Sequence, residues 1–264
     1  MESRIVVEGL VSIIMPSWNT DRFIAESIQS VIDQTYSNWE LIIVDDCSTD
    51  NTDAVVDSFQ DERIKYFHNE KNSGAALTRN RALREARGEW IAFLDSDDLW
   101  FPAKLEKQIA FMKEHGYSLS FTEYEKIDEE SKPINIYVSG PEKVNKRKMY
   151  NYDYIGQLTM MYSAKEFGPI QIKDIKKNND YAIRLQLFKK PGTCAYLLKE
   201  NLAKYRVRKV SISHDKFRRK FKSHYDLFRL CDEKPAVVAA WYTCWNMFFG
   251  VLKKKYYEKI VKGE

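Results

Sequence analysis

A chain of 264 residues, 44% hydrophobic and 14% aromatic, can hold one large α/β domain with an appendage or two small domains, and can bury a core. Its net charge of +4 hides a division: residues 1–132 hold 14 Lys and Arg against 26 Asp and Glu, and residues 133–264 hold 28 against 12. Four cysteines (Cys47, Cys194, Cys231, Cys244) show no CxxC spacing and no paired histidines, which argues against a disulfide framework or a zinc site and fits a reducing cytosol.

The first apolar stretch, residues 5–15, is broken by Glu8 and Gly9 and is too short for a signal peptide, so a cytoplasmic location is expected. From there to about residue 100, strand and helix patterns alternate, which predicts an α/β fold with a mostly parallel sheet. Residues 11–15 read as a buried strand ended by Pro16, and residues 23–34 place Phe23, Ile24, Ile28, Val31 and Ile32 at helical spacing. Residues 41–44 form a second apolar strand ending in Asp45-Asp46, and Asp50 can cap a helix carrying Ala54, Val55, Val56 and Phe59. Residues 64–67 predict a short strand, 74–86 a helix, and 90–94 a strand running into Asp95-Ser96-Asp97-Asp98. Pro102 then opens a helix over 104–115. Further on, 117–128 predicts a strand, a polar turn runs through Pro133, and 140–178 reads as irregular and Lys-rich. Residues 180–189 predict a helix, a basic segment follows, and residues 235–252 carry no charge.

Ligands of open α/β sheets bind beyond the carboxyl ends of the strands. Those ends carry Ser17-Trp18-Asn19, Asp45-Asp46-Cys47-Ser48-Thr49-Asp50 and Asp95-Ser96-Asp97-Asp98. A helix cap explains Asp50 alone, but two acidic clusters on one edge repel unless a cation or donor compensates. Mg²⁺ or Mn²⁺ suits carboxylate and phosphate oxygens, so a metal–phosphate site is expected. There is no GxxxxGK loop and no GxGxxG turn after the first strand, which disfavours a kinase or a dinucleotide oxidoreductase.

The ordered motifs Val11-Ser12-Ile13-Ile14-Met15-Pro16-Ser17-Trp18-Asn19, Glu40-Leu41-Ile42-Ile43-Val44-Asp45-Asp46-Cys47-Ser48-Thr49-Asp50, Asn72-Ser73-Gly74 with Arg79-Asn80, and Gly88 through Asp95-Ser96-Asp97-Asp98 resemble glycosyltransferase family 2, whose fold is GT-A. The resemblance covers about residues 10–215. It implies a Rossmann-like nucleotide-binding mixed sheet flanked by helices, with a C-terminal helical extension, and an inverting transfer from a nucleotide-sugar donor. It implies that Pro16, Trp18 and Asp46 border the base, with Asp46 accepting from a uracil N–H, which favours UDP. Asn72 and Arg79 are expected to help hold the nucleotide and the first acid of the metal motif. Asp95 is expected to contact ribose or donor sugar, and Asp97 to ligate Mn²⁺ or Mg²⁺. In Asn178-Asn179-Asp180-Tyr181, Asp180 takes the place of the catalytic base, and Asn179 replaces an acid often seen before it. Lys204-Tyr205-Arg206-Val207-Arg208 with Ser211-Ile212-Ser213 is similar to the family's segment after the acceptor helix. Arg208 stands where many members have His; it cannot ligate a metal but can clamp a diphosphate. This pattern is closest to members that build bacterial cell-surface polymers, including the teichuronic-acid type.

The expected division is a transferase domain over 1–215, with a nucleotide-sugar half at 1–115 and an acceptor half at 116–215, and a basic, aromatic helical extension over 216–264. Residues 235–252 carry Trp241, Tyr242, Trp245, Phe248 and Phe249 with basic flanks. Three readings follow in order: a helix lying on an anionic membrane surface, a core or homodimer helix, and a true span. The first places the protein peripherally on the inner face of the plasma membrane and suits a glycan acceptor carried on polyprenyl diphosphate. The rival readings are a sugar nucleotidyltransferase and a non-catalytic partner subunit of another transferase. Nucleic-acid binding is set aside, because RNA-recognition and helix-turn-helix signatures are missing.

Overall fold

The computed structural model describes residues 6–208 and 217–260. In chain order the elements are β1 (Val7–Ser17), α1 (Ile24–Ile32), β2 (Trp39–Asp45), α2 (Thr52–Asp57), β3 (Ile64–His68), α3 (Ala75–Glu85), β4 (Gly88–Phe93), β5 (Leu99–Trp100) and α4 (Lys104–His115). They continue as β6 (Leu119–Ile127), β7 (Pro133–Val138), β8 (Lys143–Asn145), α5 (Lys146–Asn151), β9 (Met161–Ser163), α6 (Ala164–Phe167), α7 (Asn179–Leu187) and β10 (Cys194–Arg206). The last are α8 (Phe217–Asp226), α9 (Ala236–Tyr257) and β11 (Glu258–Ile260).

One mixed sheet runs in the order β11-β7-β6-β9-β4-β1-β2-β3, with β10 branching from β6 to pair also with β5 and β8. The β1–β2, β2–β3 and β1–β4 pairs are parallel, as the alternating pattern predicts. Side chains on a strand alternate between faces. Ile13, Met15, Leu41 and Ile43 therefore enter one core with Ile24, Ile28 and Leu105, whereas Ile14, Ile42 and Val44 enter the other with Ala82 and Leu83. Both faces are covered, which is why these strands read as continuous apolar runs. Their carboxyl ends come out along one edge.

Two expectations are corrected. Residues 140–178 are irregular only in part, chiefly at 152–156 and 168–178: elsewhere the stretch holds β8, α5, β9 and α6, and β9 sits inside the sheet, antiparallel to both β4 and β6. A three-residue strand between short helical turns never completes a detectable period. The segment read only as basic contains β10, thirteen residues long and parallel to β6. Its register shifts around Asn201 break the alternation that would have marked it as a strand.

The C-terminal part joins the same body. β11 pairs antiparallel with β7, and Leu227, Phe228, Cys231 and Ala239 share a core with Tyr181, Ile183 and Leu185 of α7. Among the described residues no helix is long and apolar enough to cross a membrane, so the span reading is not realised.

Candidate active site

At the ends of β1 and β2, polar side chains knit the two loops together. Asn19, in the left-handed region at φ 51°, accepts from Thr49 N at 2.8 Å, and its own N–H donates to Ser48 Oγ at 2.8 Å. Asp50 accepts from Thr52 N at 3.0 Å at the start of α2, but the residue at the cap position of that helix is Asn51, one further on. Asp46 is buried; its carboxylate accepts from Ser73 N and Gly74 N, both at 2.7 Å, and from Asn69 Nδ2 at 2.7 Å. Asn72 donates to the Asp46 carbonyl at 3.1 Å. Asp46 and Asn72 thus meet, and the motif before α3 is anchored on the end of β2. Trp18, just past the end of β1, is half exposed, and Pro16, within β1, is half-buried.

The acidic turn after β4 is tight: Asp98 N donates to the Asp95 carbonyl at 3.0 Å, which crowds three carboxylates. Each meets a different arginine. Arg79, buried on α3, pairs with Asp95 at 2.5 Å. Asp98 accepts from the Arg206 backbone N–H at 2.9 Å, and the Arg206 guanidinium donates to the Asp97 carbonyl at 2.7 Å. Arg208 reaches the Asp97 carboxylate at 3.3 Å. Burial, then the Asp95 charge, raises Asp97 above its ordinary value against the pull of Arg208. Asp98 is pushed well up by burial and by the charges of Asp97 and Asp95.

Asp180 lies in the first turn of α7, and two observations bring it to this cluster. The guanidinium of Arg79 that holds Asp95 also donates to Asn179 Oδ1, beside Asp180. Tyr205, raised chiefly by burial, also feels the charges of Asp98, Asp97, Asp95 and Asp180. Burial draws Asp180 upward, but Arg184 and Arg79 outweigh it and hold the carboxyl below its ordinary value. Arg184 is itself buried between Asp180, at 3.0 Å, and Asp153, to which its Nε donates at 2.7 Å, with Gln157 accepting at 2.5 Å. The Asp180–Arg184 spacing of i, i+4 was readable in the sequence. Asp153 carried no such signal, and Asp98 and Arg206 were legible only as members of their own motifs, not as partners of each other. Ser211-Ile212-Ser213 lies outside the described residues.

Among the described residues, two groups of carboxylates come into question for a divalent ion. Asp45, Asp53 and His68 bring ligand atoms within 4.8 Å of one another, a candidate metal triad. Yet Asp45 already accepts from Ser48 N at 2.7 Å and Ser48 Oγ at 2.5 Å, and Asp53 from Tyr66 O–H at 2.5 Å. Asp97 meets Arg208 at 3.3 Å and carries the repulsion of its neighbour Asp95. Hard cations favour such oxygen-only, charge-crowded sites, so the residues around Asp97 fit Mg²⁺ or Mn²⁺.

This chain is similar to known proteins in sequence and in fold. Residues 12–205 match the model of the family described as Glycosyl transferase family 2. A protein provisionally named the teichuronic acid biosynthesis glycosyltransferase TuaG of Bacillus subtilis is 40% identical over 88% of this chain and 92% of its own length. The UDP-Glc:alpha-D-GlcNAc-diphosphoundecaprenol beta-1,3-glucosyltransferase WfgD of Escherichia coli is also 40% identical, over 86% of this chain and 88% of its own. Among solved structures, S. aureus TarS 1-349 in complex with UDP-GlcNAc superposes with a TM-score of 0.68 at 22% identity, covering 87% of this chain and 69% of that one. That last likeness is one of fold.

Proposed function

The chain belongs to glycosyl transferase family 2 and has the GT-A fold, and from that premise we propose which reaction it performs. It moves a hexose or N-acetylhexosamine from UDP to a glycan acceptor carried on a polyprenyl diphosphate, with inversion, in the synthesis of a bacterial surface polysaccharide. The observation that carries this reading is the Arg79 bridge, which ties the Asp95–Asp98 turn to the helix of Asp180. Support for the acceptor comes from the relative WfgD, whose name gives a diphosphoundecaprenol-linked sugar.

Trp18 and Pro16 flank the base, and Asp46 and Asn72 fix the loop against which it lies. Asp95, held by Arg79, contacts the ribose or donor sugar. Asp97 would hold the divalent ion, in preference to the Asp45 triad, and an ion held there would supply positive charge against the departing diphosphate. Arg208, already at Asp97, adds a fixed cation to the same leaving group. Asp180 accepts the proton of the acceptor hydroxyl as the sugar carbon is attacked. One base and no protein nucleophile give inversion in a single displacement.

The test is transfer of label from UDP-glucose and UDP-GlcNAc to GlcNAc-diphosphoundecaprenol. Wild type should transfer one of them. Asp180→Asn should transfer about 10²–10⁴-fold more slowly, with donor affinity by calorimetry unchanged. Unchanged transfer by Asp180→Asn would remove that residue from the chemistry.

A further inference from the structure

Helix α9 is built inside out. The residues it buries are small or polar: Ala239, Thr243, Asn246 and Gly250, at spacings of four, three and four. Gly250 lies so close to Tyr152 that a Cβ there would come within 2.8 Å of its ring, and Asn246 Nδ2 donates to Tyr181 Oη at 2.8 Å. The opposite face is apolar and open to solvent: Val237 is 82% exposed, Trp241 63%, Phe248 57% and Val251 71%. Trp241 and Trp245 stack along the outside with ring centroids 5.7 Å apart, and Trp245 lies 6.1 Å from Phe248. A surface helix ordinarily turns its apolar stripe inward. A contiguous outward stripe of this kind marks a contact with something else.

The charges around the stripe choose the partner. Lys146, Arg147 and Lys234 line, with Trp241 and Trp245, a depression of about 520 Å³; none of its described lining residues is acidic, and of its three cations Lys234 is paired, with Asp232 at 3.4 Å. On α8, packed beside α9, Arg218, Arg219 and Lys222 are exposed around Phe221 and Tyr225, again with no acid in the lining. A second copy meeting this face about a two-fold axis would set like charges against each other. An anionic bilayer complements them: tryptophan rings sit at the headgroup level, and lysine and arginine meet the lipid phosphates. The helix cannot cross, so it lies in the plane of the surface.

We propose that the outward face of α9, with the basic rim from α5 and α8, docks the protein flat on an anionic lipid bilayer. The inward face of the same helix then holds the site. Asn246 bonds Tyr181, the residue after Asp180, and Lys253 Nζ donates to the Asp153 carbonyl at 3.4 Å. Docking by α9 thus sets α7 one layer above the lipid.

The test is co-sedimentation of the full chain with vesicles of phosphatidylcholine and phosphatidylglycerol in equal parts, and of phosphatidylcholine alone, without any sugar donor. Wild type should pellet with the mixed vesicles at low salt, come off in high salt, and bind neutral vesicles far less. The double variant Trp241→Ser, Phe248→Ser should lose about tenfold or more in partitioning with an unchanged Tm, since both side chains are exposed. Arg218→Glu with Lys222→Glu should weaken binding to the anionic vesicles alone. Wild type left in the supernatant with both vesicles at low salt would overturn the proposal, as would unaltered binding by the aromatic variant. So would a dimer in sedimentation velocity, lost in that variant, from a chain that binds no vesicles; the face would then belong to a second copy. Because binding is read without turnover, its failure leaves the transferase reading untouched.

Discussion

Arg184 decides the state of Asp180. A carboxylate that must accept a proton at neutral pH has to be ionised before the acceptor arrives, and Arg184 with Arg79 ensures that against the pull of burial. The acid limb of kcat/KM due to Asp180 is therefore expected below the ordinary aspartate range. Arg184→Gln should move that limb to higher pH, which a pH–rate profile reads, and should also destabilise the fold by about 1–3 kcal/mol by removing the partner of the half-buried Asp153. Glu40 offers a matching case away from the site. It is buried, and burial raises it, but Ser12, the Arg87 N–H and Lys65 together hold it below its ordinary value. Its folded pKa is thus lower than its unfolded one, so its contribution is present above the unfolded pKa and is lost as pH falls through the folded value. Glu40→Gln should cost about 1–3 kcal/mol at pH 7. The gap to wild type should close in denaturant titrations repeated at progressively lower pH.

Gly88, the first residue of β4, shows how closely the elements of the nucleotide-binding half approach one another. A Cβ there would stand 2.5 Å from the Leu10 carbonyl and 2.7 Å from Ser12 N, both backbone atoms that cannot yield without moving β1. Gly88→Ala should destabilise by about 1–3 kcal/mol, read as a lower denaturant midpoint with an unchanged slope. The glycine is visible in the sequence, but its crowding is not. The same contrast runs through the fold. β1, β2 and α4 were legible from their buried runs and, for α4, from Pro102; Pro16 does not end β1, which pairs with β2 through Pro16 to Ser17. β9 and β10 were not, because one is too short and the other too polar and irregular to show a period. In the site, the carboxylates were legible from their places at strand ends. Their partners were not: Asp153 reaches Arg184 across 31 residues, and Arg206 reaches Asp98 across 108. Such pairings depend on where β10 and the stretch after α5 run, which no local pattern encodes. Residues 235–252 were legible as a helix of mixed loyalty, but only the structure tells which face is buried.

The division of charge along the chain becomes a division of labour in the molecule. The acidic first half supplies the strand ends that crowd Asp95, Asp97 and Asp98, and the basic second half supplies Arg206 and Arg208 to meet them and the cations around α9. The C-terminal part closes the body by pairing β11 with β7 and by covering Tyr181. Deleting residues 236–260 should therefore yield protein without a cooperative thermal transition. Adding Mn²⁺ to the intact chain should raise Tm in a concentration-dependent way, and Asp97→Asn should abolish the rise.

The most direct test is release of nucleoside diphosphate from a panel of nucleotide sugars with Mn²⁺, for wild type and Asp97→Ala. Turnover of one donor, expected to be a UDP-sugar, that disappears in the variant is the predicted result. Turnover unaffected by Asp97→Ala would contradict the assignment of the metal to the acidic turn. Neither turnover nor donor binding across the panel would contradict the enzyme itself and leave a partner subunit of another transferase.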